Sequence, residues 1–206
     1  MTGLAIVSQA GHGPAPAGPA PFVPVPFVPV PHGRAAAPLA ATANRAVARP
    51  ADLIIPAIGV RAAVIRLGIT AAGTLQVPST TTVAGWYAGS PRPGEIGSSV
   101  IAGHVDSYLG PGVFFRLRTL RPAAKIYVRR ADGTLAVFAV TEVRTYPKDR
   151  FPAAAVYGPV PDAQLRLITC GGNFDPGLRS YLSNVVVYAV LLASSGRRPG
   201  SVAPDR

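Results

Sequence analysis

One cysteine, three histidines and nine acidic residues are a sparse supply of reactive side chains for a chain of 206 residues. The lone Cys170 excludes an intrachain disulfide framework and any zinc site built on two thiolates. It fits an exported protein that must avoid scrambled disulfides. His12 and His32 lie in a Pro/Gly/Ala-rich stretch and make poor ligands, which leaves His104 as the one histidine in globular sequence. No acidic cluster marks a calcium site, so no metal and no other cofactor is expected; a calcium-dependent rate would overturn that. Long apolar runs are also missing. The patch Leu4–Val7 falls far short of the ~18 apolar residues of a membrane span, and no basic residue precedes it as in a signal peptide. One reading makes it the trailing end of a membrane segment cut by a misplaced start, with membrane association through a segment missing from this chain.

Charge is abundant in one sign only. The formal net charge is +11, yet between residues 52 and 192 it thins to 14 Lys/Arg against 8 Asp/Glu. Basic residues do not interleave with aromatics, and no strand carries paired aromatics, so no nucleic-acid partner is expected. A positive surface suits anionic lipid or an anionic wall polymer, and charge does not choose between them.

Composition divides the chain in three. Residues 1–50 hold 10 of the 23 prolines and no acidic residue, and Phe22-Val-Pro-Val-Pro26 recurs as Phe27-Val-Pro-Val-Pro31. Alternating X-Pro favours polyproline II, so this part reads as a semi-rigid spacer. Residues 51–193 are globular in pattern, roughly 140 residues that can bury a core without staples. Residues 194–206 read as a disordered tail.

Within the globular part, apolar runs alternate with turn residues. Strands are expected over Asp52–Val60 (broken at Pro56), Ala63–Gly68, Thr74–Pro78, Ser98–Ala102, Lys125–Arg130, Thr134–Val143, Gln164–Cys170 and Asn184–Leu192. Asp132-Gly133 is a hairpin turn signal. Only Val113–Leu120 has the spacing of a helical turn or two. The fold expected is all-β, a closed eight-stranded barrel with one or two short helices.

Two stretches carry the chemistry, Val100-Ile-Ala-Gly-His-Val-Asp106 and Gln164-Leu-Arg-Leu-Ile-Thr-Cys170-Gly-Gly. Each is an apolar run ending on a reactive side chain in a Gly-rich turn. A free thiol ionises near pH ~8.5, so a nucleophilic cysteine needs a base or a positive field. His104 is the base available, and it can later protonate a leaving amine. Arg179 does not give up its proton, so its role is to stabilise an oxyanion or hold a peptide backbone. Thr169 lies on the opposite face of the cysteine strand and reaches the site only if the strand end twists. Asp106 either orients the imidazole or caps the loop holding Ser107 and Tyr108. Trp86 and Tyr87 either line a groove or pack. Each residue also has a plain structural reading, a buried thiol, a turn histidine and a solvated arginine; their co-occurrence argues for a nucleophile.

Leu167-Ile-Thr-Cys170, Ala102-Gly-His-Val-Asp106 and Arg179 followed by Asn184-Val-Val-Val-Tyr-Ala189 together resemble the sortase family, in particular its actinobacterial branches called class E and class F. The order of the three, with separations of 66 and 9 residues, adds to the likeness. Gly112-Val-Phe-Phe-Arg-Leu and the hairpin at Asp132-Gly133 occur in the expected order, and the likeness spans 52–192. Arg166 replaces a Thr of the fuller signature, and Ala123-Ala124 replaces a common Gly-Asp.

The resemblance implies a cysteine transpeptidase on an eight-stranded barrel. Cys170 would cleave a Leu-Pro-x-Thr-Gly-type sorting signal of surface proteins at Thr–Gly. A thioacyl-enzyme would then pass to an amine acceptor, a cell-wall precursor or a pilin lysine, outside the cytoplasm at the cell surface. His104 would be the acid/base and Arg179 the substrate and oxyanion stabiliser, with Thr169 and Asp106 as substrate-binding candidates. The alternatives are a hydrolysing cysteine peptidase on the same fold and a non-catalytic surface β-barrel binding module.

Overall fold

The computed structural model describes residues 47–71 and 73–195. The Pro-rich repeats, His12, His32, the Leu4–Val7 patch and the last eleven residues lie outside the described residues. Ten strands follow in chain order: β1 Pro50–Ile55, β2 Val60–Leu67, β3 Ala84–Tyr87, β4 Gly97–Ala102, β5 Asp106–Ser107, β6 Gly110–Pro111, β7 Lys125–Arg130, β8 Leu135–Pro147, β9 Ala163–Asp175 and β10 Ser180–Ser194. Eight of them close a barrel in the order β1-β2-β3-β4-β9-β10-β8-β7, and β5 and β6 form a separate two-stranded sheet. The expected closed eight-stranded all-β barrel is the fold observed. Helix among the described residues is limited to α1, Ala153–Tyr157, and three 3-10 turns.

The barrel explains why some strands alternate and others read as unbroken apolar runs. Leu53, Ile55, Ile101, Phe138, Leu165 and Leu167 fill its interior. A second cluster, with Val100, Ala102, Ile168, Val186 and Cys170, lies on the other face of β4, β9 and β10 and packs on Val156 of α1. Strands covered on both faces bury residues at every position, small polar ones such as Ser98 and Ser99 included. All six residues of β4 are therefore buried, whereas β2 alternates buried and exposed along most of its length.

Several elements differ from expectation. The first expected strand splits at Pro56, whose ring cannot donate to a ladder. A 3-10 turn, Pro56–Ile58, and Gly59 at φ 71 reverse the chain, so that Ile55 pairs with Val60 across a hairpin. Thr74–Pro78 is not a strand and contributes only the isolated bridge of Leu75 with Ile69. The missed strand is β3, which takes Trp86 and Tyr87 into the buried wall; Trp86 donates its indole N–H to the Pro91 carbonyl at 3.2 Å. Val113–Leu120 forms turns and one 3-10 turn, Leu117–Thr119, rather than an α-helix. Its apolar spacing is real, since Phe114, Leu117 and Leu120 are buried, but the Phe114 N–H donates to the His104 carbonyl at 2.9 Å instead of to a helical partner. The Asp132-Gly133 hairpin forms as expected, with Gly133 at φ 80. Ala123, where glycine is common in the resemblance, stands at φ 68, a region L side chains rarely enter.

Candidate active site

The site is made where β4 runs parallel to β9. Ala102 pairs with Ile168, and the Gly103 N–H donates to the Ile168 carbonyl at 3.1 Å. Two residues further along each chain stand His104 and Cys170. Neighbouring strands lie about 4.8 Å apart, and alternate residues share a face. Cys170 therefore stays on the face of Ile168, whereas β4 has ended at Ala102 and His104 stands in the loop beyond it. Both side chains are buried.

A neighbouring segment orients the imidazole. His104 Nε2 lies 2.8 Å from the Pro78 carbonyl oxygen. A carbonyl only accepts, so Nε2 carries the proton and Nδ1 is the nitrogen open to take another. The backbone around it is tied down as well: Gly112 N–H donates to Val105 carbonyl at 2.8 Å and Val113 N–H to Thr81 carbonyl at 2.7 Å. Gly112 has no room for a side chain, because a Cβ there would stand 2.5 Å from the His104 carbonyl oxygen. Gly112→Ala is expected to push the His104 loop away and cut turnover about 10- to 100-fold, the scale of a 1 Å misplacement of a reacting group. Ligation kinetics alongside a thermal melt check this; a wild-type rate would show that the loop absorbs the methyl.

Cys170 differs in placement from the sequence reading. It is not at a strand tip: β9 continues through Gly171-Gly172 to Asp175 and forms a long hairpin with β10. Burial pushes its thiol up from the ordinary range; Lys148 beside it opposes that rise, and Asp106 adds to it. The thiol borders a cavity of about 220 Å³ whose lining includes Phe114, Arg118, Thr169, Gly172 and Tyr181.

The remaining candidates fall differently. Thr169 does line that cavity, and its hydroxyl is buried with no hydrogen-bond partner. Asp106 does not orient His104. It accepts a hydrogen bond from the Tyr181 hydroxyl, which links the His104 loop to the start of β10. Burial, with that hydrogen bond second, pushes the Tyr181 phenol up to about 12. Arg179 does not line the Cys170 cavity. It is exposed, at φ 48, in the turn just before β10, where Ser180 pairs with Asp175. The guanidinium that lines the Cys170 cavity is Arg118.

Sequence reasoning missed two further neighbours. Asn184 pairs directly with Cys170 across β9 and β10, and with Tyr146 across β10 and β8. Directly opposed residues share a face with Cβ atoms about 5 Å apart. Asn184 is fully buried, and neither end of its amide has a partner. The turn over residues 176–179 and a register shift between Tyr181 and Ser183 together set this pairing, which spacing along the chain does not give. Lys148, from the 3-10 turn Lys148–Arg150 after β8, is the second. Arg166, the departure from the signature, is buried with its guanidinium over the Tyr188 ring, 4.5 Å from the centroid, and hydrogen-bonded to Gln164 Oε1 at 2.7 Å. Among the described residues no group of three or more His, Cys, Asp or Glu is placed to hold a metal ion. None of their helices is long and apolar enough to cross a membrane.

The chain is thus a closed eight-stranded barrel with its one thiol on β9, bordering a cavity, and its one described histidine just past the end of β4. The family model for the sortase domain matches residues 53–192, and the chain belongs to the sortase family, whose members are cysteine transpeptidases. Solved structures agree on the fold. Sortase C-1 from Actinomyces oris is similar over 69% of this chain and 73% of its own, at 20% identity and a TM-score of 0.55. Sortase A from Listeria monocytogenes is similar over 72% of this chain and 90% of its own, also at 20% identity and a TM-score of 0.55. Sortase C from Streptococcus pneumoniae gives a TM-score of 0.56 at 18% identity, over 70% of this chain and 67% of its own. A comparison with curated protein sequences finds no match.

Proposed function

We propose that this sortase cleaves a Leu-Pro-x-Thr-Gly-type sorting signal at the Thr–Gly bond and joins the product to an amine at the cell surface, as its resemblance to sortases implies. The observation that supports the proposal is the parallel pairing of β4 with β9, the strand that leads into His104 with the strand that carries Cys170. The Cys170 sulfur, its proton passed to His104 Nδ1, attacks the threonine carbonyl carbon. The C–N bond breaks as the imidazolium returns that proton to the departing glycine amine, leaving a thioester on Cys170. An acceptor amine then attacks the thioester, gives its proton to His104 and releases the thiolate. A lysine of a pilin or an amine of a cell-wall precursor fits the acceptor role.

Arg118, at the cavity, would meet the peptide or the oxyanion; Thr169 also lines the cavity, with its hydroxyl buried. Arg179 would reach them only if the β9–β10 hairpin folds back over the cavity. The test is intact-mass spectrometry of the protein mixed with a Leu-Pro-x-Thr-Gly peptide, with and without triglycine. A thioacyl adduct that turns into a triglycine ligation product is expected. Cleavage without ligation would make the enzyme a hydrolase, and no adduct would sink the proposed signal.

A further inference from the structure

Lys148 follows the last residue of β8, and two steps of register connect it to the thiol. Pro147 pairs with Ser183, and Ser183 pairs with Gly171, the neighbour of Cys170. From that position the Lys148 side chain turns inward and is half-buried. Its ammonium donates a hydrogen bond to Ser180 Oγ at 3.0 Å, and its charge and that of the Cys170 thiol act on one another. No ion pair among the described residues includes it. An ammonium withdrawn from water needs an anion or a set of acceptors in exchange, and the group beside it that can become an anion is Cys170.

The other groups around the sulfur give the ammonium its importance. His104 follows the end of β4, and Asp106, on β5, accepts a hydrogen bond from the Tyr181 hydroxyl of β10. Asp106 works against a thiolate, and so does burial. Asn184, opposite Cys170 on β10, has an unpartnered amide that can donate to the sulfur. Arg118 borders the same cavity from the Leu117–Thr119 turn but is solvent-exposed. Arg179 is at the far end of the hairpin.

We infer that Lys148 is the cation that stabilises the Cys170 thiolate, a positioning residue acting at the sulfur itself. The inference rests on the reading of Cys170 as the nucleophile, but its test does not need peptide turnover. Because Cys170 is the only cysteine, iodoacetamide alkylation followed by intact mass reports its thiolate fraction alone. The full chain, Lys148→Met, Lys148→Gln and Lys148→Arg are each alkylated across pH 6 to about 10, the range around a thiol's ordinary pKa, with circular dichroism confirming the fold. Met and Gln keep most of the stem and remove the charge.

Both neutral variants are expected to move the alkylation midpoint to higher pH, with the rate at neutral pH falling about tenfold, the scale of a neighbouring charge. Arg is expected to restore most of the wild-type profile. Superimposable profiles for wild type and either folded neutral variant would overturn the inference, as would an arginine variant that behaves like methionine. A shifted profile in a protein that never forms a thioacyl adduct would leave Lys148 as the thiolate's partner and remove the sorting-signal reading instead.

Discussion

Replacing Cys170 with alanine is expected to abolish both the thioacyl adduct and the ligation product, a loss of at least about 10⁴-fold. The size follows from chemistry rather than from contact area. Without sulfur there is no covalent intermediate, and no second cysteine can take over. Serine in the same place should fare little better, because a hydroxyl beside one imidazole is far harder to ionise than a thiol. The substitution removes one small buried atom, so stability should change by only about 1 kcal/mol. Parallel thermal melts and intact-mass assays separate the two effects. Product formed by the alanine variant would move the nucleophile elsewhere and remove the basis of the proposed mechanism.

The second large effect is expected at His104. Loss of the imidazole in His104→Ala should lower transpeptidation by about 10²- to 10⁴-fold, the usual share of general acid–base catalysis. The hydrogen bond from Nε2 to the Pro78 carbonyl makes the outcome specific, since it leaves Nδ1 as the nitrogen that exchanges protons. The pH dependence carries a sign. Burial raises the Cys170 pKa, so the thiolate is scarcer at neutral pH than for a free cysteine, and thiolate-dependent reaction should climb as pH rises through that raised value. In His104→Ala, adduct formation should be weak and should go on rising with pH. An alanine variant with the wild-type rate and profile would show that the imidazole is structural.

Much of the scaffold was legible because local physics decided it. Asp132-Gly133 turns a hairpin whichever barrel surrounds it, and β7 runs from Lys125 to Arg130 as the residues read. The unbroken apolar runs before His104 and Cys170 mark strands covered on both faces. Where reading failed, a nonlocal partner decided the matter. The short β3, Ala84–Tyr87, has no alternation of its own and is a strand because β2 and β4 flank it. Val113–Leu120 has helical spacing, but the His104 carbonyl claims the Phe114 amide.

The same division runs through the site. Sequence alone determined that Cys170 and His104 are the thiol and imidazole available to a folded domain, since no other cysteine exists and the other histidines lie among prolines and glycines. Tertiary structure alone decided what surrounds the sulfur. Register carried Asn184 and Lys148 to it, and a hairpin extended five residues past Cys170 left Arg179 at its end. Spacing along a chain does not reveal how far a hairpin runs before it turns, because hydrogen bonds between strands, not residues within one, set that length.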